Sequence, residues 1–169
     1  MLNYTIRPIE SPDARGLNEL RRMPGVFENI LGHPGERLDR SEAHIAGLGP
    51  NDVQFVAVCP EKDGRELVIG SASLTVCASP RMRHVGSIGI MVHRDFQNQG
   101  VGRALMNSVI DMADNWLKLV GLELTVFEDN ERAIHLYESL GFEKEGLIRM
   151  ASIRNGVYVN EYGMSRLRL

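Results

Sequence analysis

The 169-residue chain is sparing with cysteine, proline and aromatic residues: two Cys, seven Pro and one Trp, with Phe, Trp and Tyr together making up 6%. Cys59 and Cys77 stand apart, with no CxxC pair and no Cys/His cluster at ligand spacing, which excludes a disulfide scaffold or a zinc module and leaves no metal expected. That cysteine usage suits a reducing cytoplasm. Positive charge is not in excess either: 19 Lys and Arg against 22 Asp and Glu leave a formal charge of −3. Nucleic acid, whose binding is driven by phosphate neutralisation, is therefore not an expected partner. No apolar run reaches membrane-spanning length, and Met1-Leu2-Asn3-Tyr4-Thr5-Ile6-Arg7-Pro8 lacks a charged leader before an apolar stretch, so neither secretion nor a membrane partner is expected. Asn3-Tyr4-Thr5 spells a glycosylation acceptor, a chance match where no secretory signal precedes it. What the chain does have, 43% hydrophobic and 24% charged residues without repeats, low-complexity segments or linkers, predicts one globular domain over residues 1–169.

Tyr4 to Ile9 alternates and gives way at Ser11-Pro12-Asp13 to a helix carrying Leu17, Leu20 and Met23. Pro24-Gly25 breaks it, and a second helix is predicted over Arg37 to Gly47. Val53–Cys59 and Glu66–Cys77 read as strands joined through Asp63-Gly64, a strong hairpin signal. Val85–Val92 is a third strand-like run. Leu105, Val109, Met112, Trp116 and Val120 then recur at helical spacing, which predicts a helix from Val101 to about Val120 closed by Gly121. Leu122–Phe127 is a strand, Asn130 opens a helix stopped by Gly141, and two strands flank Asn155-Gly156. This order describes an α/β (α+β) domain with a mixed, mostly antiparallel sheet of about seven strands flanked by about four helices.

The informative segment is Val92-His93-Arg94-Asp95-Phe96-Gln97-Asn98-Gln99-Gly100-Val101-Gly102-Arg103, where a buried strand feeds a glycine turn that starts a helix. Free N–H groups and the positive end of the helix macrodipole suit such a turn to a phosphate or pyrophosphate. A connection whose glycines serve packing alone fits the same letters. Neither a GxxxxGK[ST] loop nor a GxGxxG after the first strand is present, so ATP and NAD are not supported.

Gln97-x-x-Gly100-x-Gly102 after Ile90-Met91-Val92 resembles the acyl-coenzyme A signature of the GNAT superfamily of N-acetyltransferases. Asn130-x-x-Ala133-x-x-x-Tyr137-x-x-x-Gly141-Phe142 resembles that superfamily's next motif, one strand and one helix further on. The element order resembles the GNAT order over essentially the whole chain. The resemblance implies an acyltransferase that uses acetyl-CoA as acetyl donor and a primary amine as acceptor, by direct attack in a ternary complex, with a homodimer possible. It places coenzyme A pyrophosphate at Gln97, Asn98, Gln99, Gly100, Val101, Gly102 and Arg103, held mostly by backbone. Pantetheine would lie in the gap where the strand before the turn splays from the next at a bulge, with Ile90, Met91 and Val92 as main-chain partners. A backbone N–H on that strand would face the thioester oxygen. Asn130 would bond the pantetheine arm, serve as a plain N-cap, or both; Ala133 would leave room for the cofactor; Tyr137 matches the family's general acid, with a core tyrosine as the plain alternative.

Two positions depart from the family pattern. Thr125 stands where some members carry a glutamate base, and Arg94 stands where a proline follows the strand. The base is thereby left open among Glu123, Glu128, Asp129 and Glu161 acting through water, with His84 and His93 weaker candidates. Acceptor specificity in this family resides in the first two helices and the loop between them, which positions Phe27, Glu28, Asn29 and Ile30. The tail from Arg154 to Met164 resembles members that acetylate small amines, so a small-molecule amine, such as an amino acid with an apolar side chain, is the expected acceptor. A protein N-terminus is the alternative acceptor, and a non-catalytic acyl-CoA-binding module the alternative of another class.

Overall fold

In the computed structural model, which describes residues 2–169 and so leaves Met1 and its leader reading outside, each predicted strand joins one sheet. The elements are β1 (Thr5–Pro8), α1 (Ala14–Arg21), α2 (Leu38–Ala46), β2 (Asp52–Pro60), β3 (Glu66–Val76), β4 (Val85–Val92), α3 (Val101–Asp111), β5 (Gly121–Phe127), α4 (Glu131–Ser139), β6 (Glu143–Arg154) and β7 (Val157–Leu167). Among the described residues seven strands lie in the order β1-β2-β3-β4-β5-β7-β6, and β4–β5 is the one parallel pair. Mixed, mostly antiparallel α/β architecture with four helices is therefore what the chain adopts. The hairpins form where the turn residues predicted them, with Gly64 (φ +84), Asn155 (φ +52) and Gly156 (φ +75) supplying the positive angles that tight turns need. Among the described residues no helix is long and apolar enough to cross a membrane.

Packing covers both faces of the sheet. On one face Val101, Leu105, Met106 and Val109 of α3 meet Ile69, Ala72 and Leu74 of β3 and Leu122 and Leu124 of β5, all buried. On the other, Leu20 of α1 covers Val56, Val58 and Val68. Each such side chain contributes about 1.5–3 kcal/mol on leaving water. In β5 the alternation is clean: Leu122, Leu124 and Val126 are buried while Glu123 and Thr125 are exposed.

The segment after α3 differs from its prediction. The helix leaves α geometry at Met112 and makes a π-helical turn to Trp116, with the Leu117 N–H bonded to Met112 O at 2.9 Å. The wider turn rotates everything that follows. Ala113 keeps its place in the core, Trp116 is turned outward at 74% exposure, and Leu119 takes the buried position that Val120 was expected to fill. Lys118 (φ +50) reverses the chain, and Gly121 begins β5 instead of capping a helix.

The feature that positions a site is the splay of β4 from β5. They pair only over Val85–Ser87 and Gly121–Glu123. Beyond this, β4 follows β3 as far as Val92 opposite Gly70, and β5 follows β7 as far as Phe127 opposite Glu161. The β3–β4 register is constant throughout, so no bulge marks the splay, contrary to expectation; two strands tied to different outer neighbours separate with the twist of the sheet.

Candidate active site

Antiparallel pairing alternates residues that face the partner strand with residues that face away. Bonds from Cys77 N–H to Val85 O (2.9 Å) and from His93 N–H to Ile69 O (2.8 Å) set the phase of β4: odd residues bond β3, and the main chains of Ile88, Ile90 and Val92 face the gap. Met91 lends its side chain to the cleft wall while its main chain pairs with Ser71, which corrects the expectation that all three residues offer backbone there. The cleft between the splayed strands has a volume of about 770 Å³.

The glycine turn closes one end. Asn98 (φ +59) and Gly100 (φ +86) sit in the left-handed region, and a Cβ on Gly100 would meet nothing within 4 Å. Internal packing therefore does not require glycine there; the left-handed backbone angle does, and the space above the turn stays open. The first bond of α3 runs from Ala104 N–H to Gly100 O (3.0 Å), so the N–H groups of Val101, Gly102 and Arg103 precede the helical ladder. Gln97 ties the turn to the strand by donating Nε2–H to Val92 O (3.0 Å), and Gln99 donates to Asp95 O (2.8 Å). Gln97 Oε1 accepts from Arg132 Nη1 (2.5 Å), and Arg103 Nη2 donates to Ser139 Oγ (2.8 Å), so two guanidinium groups flank the turn. Arg132 was not anticipated; a cation in the first turn of α4, against the helix dipole, was the available signal.

Along the cleft, Asn130 Oδ1 accepts the Ala133 N–H (3.3 Å), so the N-cap reading of Asn130 is realised, and both residues line the wall. Tyr137 is 6% exposed with its ring 5.9 Å from Phe142, and it lines the cleft without a hydrogen bond from its hydroxyl among the described residues. Burial pushes its phenol up to about 12. Thr125 also lines the cleft, but of the four carboxylates considered as base only Glu161 does. It stands on β7 opposite Phe127 of β5, 7% exposed, and accepts the Ser152 Oγ–H at 2.5 Å. Asp129 is ion-paired with Arg154, which holds its carboxyl below the usual range. Glu128 accepts from Asn160 Nδ2 (3.0 Å), and Glu123 lies opposite Ser87 at the closed end of the splay. His93 caps the short turn at Arg94–Phe96 by accepting the Asp95 N–H, and burial lowers its imidazole. His84 lends its carbonyl to the N–H groups of Val120 and Gly121.

The opposite end is walled by α1, α2 and the loop between them. Of the residues expected there, Asn29 and Ile30 line the cleft, whereas Glu28 turns back to accept the Gly25 N–H (2.7 Å) and Phe27 is off the wall. Sequence reading missed Arg40, Ser41 and His44 of α2 and Gln54 of β2, all on the wall. His44 Nε2 meets Gln54 Oε1 (2.8 Å), Gln54 Nε2 donates to Ser71 Oγ (3.0 Å), and Ser71 donates to Phe55 O (3.0 Å), a polar chain across the sheet's floor. Among the described residues no group of three or more His, Cys, Asp or Glu is placed to hold a metal ion.

Residues 21–142 match the model of the acetyltransferase (GNAT) family. The chain belongs to the GNAT acetyltransferase family. Over 168 residues, 99% of this chain and all of the relative, it is 37% identical to the L-amino acid N-acetyltransferase AaaT of Escherichia coli (strain K12). The spermidine N(1)-acetyltransferase of the same strain is 28% identical over 94% of this chain and 83% of its own. A spermidine N-acetyltransferase of Vibrio cholerae solved with CoA and spermine superposes with a TM-score of 0.81 at 25% identity, covering 97% of this chain and 95% of that one. As a GNAT member the protein is an N-acetyltransferase, and GNAT enzymes use acetyl-CoA. The site fits that donor. An uncapped helix start, open space where a Gly100 Cβ would project, and a free backbone edge on β4 suit a pyrophosphate followed by an extended amide-bearing arm.

Proposed function

We propose that the protein N-acetylates a small primary amine, an α-amino acid with an apolar side chain, by direct attack in a ternary complex with acetyl-CoA. One observation carries the reading: a single cleft runs from the donors at the head of α3, along the free edge of β4 and past Tyr137 and Glu161, to α2. The full-length similarity to an L-amino acid N-acetyltransferase supports the acceptor class, as do Leu17, Val26 and Ile30 on its wall.

Bound acetyl-CoA supplies the acetyl thioester. Val101, Gly102 and Arg103 offer N–H groups to its pyrophosphate over a cradle shaped by Gln97, Asn98, Gln99 and Gly100, with Arg103 and Arg132 adding charge. The Ile90 main chain and the Val92 N–H, whose own carbonyl is held by Gln97, would meet pantetheine as an added strand, Asn130 borders the same arm, and Ala133 leaves room beside it. The Ile90 N–H, directed into the gap, would donate to the thioester oxygen, where a preorganised donor lowers the barrier by roughly 3 kcal/mol. Glu161, oriented by Ser152, takes a proton from the acceptor ammonium through water, so that the neutral amine attacks. Tyr137 keeps its proton at neutral pH, gives it to the departing sulfur as the C–S bond breaks, and is reprotonated by the second proton that the attacking nitrogen sheds on becoming the amide; the apolar surroundings that raise the phenol raise the thiolate's basicity too.

A thermal-shift titration followed by an amine panel with thiol-release detection tests this. Acetyl-CoA at about 100 times its Kd stabilises by roughly 2.7 kcal/mol, whereas ATP and NAD leave the midpoint unmoved. Apolar α-amino acids should turn over faster than spermidine or a peptide N-terminus. Peptide turnover without amino-acid turnover selects the protein N-terminus instead, and binding without any turnover selects the non-catalytic module. The proposal places one acetyltransferase domain, residues 1–169, in a homodimer in the cytoplasm. The free thiols of Cys59 and Cys77 and the exposed Leu147, Ile148, Met150 and Ile153 on β6 support it, and sedimentation measures the mass.

A further inference from the structure

Both ends of the cleft are cationic, and so far only the turn end has an anion to receive. At the far end Arg21 and Arg40 line the wall, and their charges are matched unequally. Glu36, its side chain fully buried, takes Arg21 in a two-point bond, Nε to Oε2 at 2.7 Å and Nη2 to Oε1 at 2.8 Å. Arg40 Nη1 approaches that same Oε1 only to 4.0 Å, and its side chain is 62% exposed. One carboxylate thus faces two guanidinium groups, and Arg40 keeps its planar fork of donors for another acceptor.

Ser41, the next residue, is an independent sign. It is 1% exposed, lines the same wall, and its Oγ has no hydrogen-bond partner among the described residues. A buried hydroxyl without a partner is costly, so a partner that arrives with the acceptor accounts for its retention. His44, on the same face of α2, is already engaged with Gln54. Among the described residues the only carboxylate lining the cleft is Glu161, so no anion on this wall draws a polycation or repels a carboxylate.

We propose that Arg40 and Ser41 bind the α-carboxylate of the amino-acid acceptor, the guanidinium donating two N–H bonds and Ser41 its O–H, and so select amino acids over polyamines. The inference rests on the amino-acid reading above. It is tested on the full chain with the best-accepted member of a twenty-amino-acid panel and that amino acid's decarboxylated amine. Arg40→Ala should cut the wild-type preference for the amino acid over the amine, as a ratio of kcat/KM, by about tenfold or more, through KM and not kcat. Arg40→Lys should recover part of it, and Ser41→Ala should raise the amino-acid KM severalfold without lowering Tm. An unaltered preference in Arg40→Ala, or loss in kcat alone, overturns the subsite while leaving the amino-acid reading in place. Wild-type protein that acetylates amines and no amino acid overturns both.

Discussion

The two ends of the cleft are built differently. At the Gln97–Gly102 turn the donors are main-chain N–H groups from one continuous segment, and side chains mainly shape the turn. At the α2 end the polar groups are side chains from α1, α2, β2 and β3 that meet only because the sheet brings them together. A backbone site demands particular angles at neighbouring positions and so writes itself into a short motif. A side-chain site can be assembled from almost any positions that the fold makes adjacent.

The sharpest way to break that contrast is Gly100→Asp. A left-handed angle costs a residue with a Cβ roughly 1–2 kcal/mol, and the carboxylate would occupy the space offered to pyrophosphate. Acetyl-CoA affinity by calorimetry should fall at least about a hundredfold, while Gly100→Ala, strained but uncharged, loses far less. Tyr137→Phe lies between the two ends: kcat should drop about 10²–10³-fold with acetyl-CoA affinity nearly unchanged. In the wild type the raised phenol keeps its proton past the ordinary value of 10, so kcat should hold through that pH and decline only toward about 12. The smallest effect is at the acceptor wall. The Arg21 bond holds the Glu36 carboxyl below its ordinary 4.5, so its stabilising contribution is complete above that pH and lost as pH falls through the depressed value. Glu36→Gln should lower stability by about 1–3 kcal/mol in denaturant melts at neutral pH and flatten the acid limb of the stability profile, while the acetyl-CoA shift persists.

The same contrast explains what could be read from the chain alone. The element order along the chain, the hairpins and the glycine turn were legible because Asp63-Gly64, Asn155-Gly156 and the spacing of Gln97, Gly100 and Gly102 are local demands on the backbone. Trp116 and Val120 misled because helical spacing assumes that α geometry continues, and one π turn at Met112–Trp116 shifts the phase that placed both on the buried face. Glu161 could be named as a base only among four carboxylates, since pairing with β5 is what brings it to the cleft and Arg154 is what removes Asp129 from contention. Arg40 and Ser41 had no local signature at all, because their meaning comes from Glu36 being claimed by Arg21.

The divergence of β4 from β5 also gives the sheet an edge in its interior. At the rim of a sheet, a row of unpaired N–H and C=O groups is open to any extended chain, including that of another misfolded protein. Recessed between two halves of one sheet and bordered by residues of α3 and α4, the same row admits only something slender enough to enter a crevice. The fold thereby discriminates by the thickness of its guest before any side chain has been consulted.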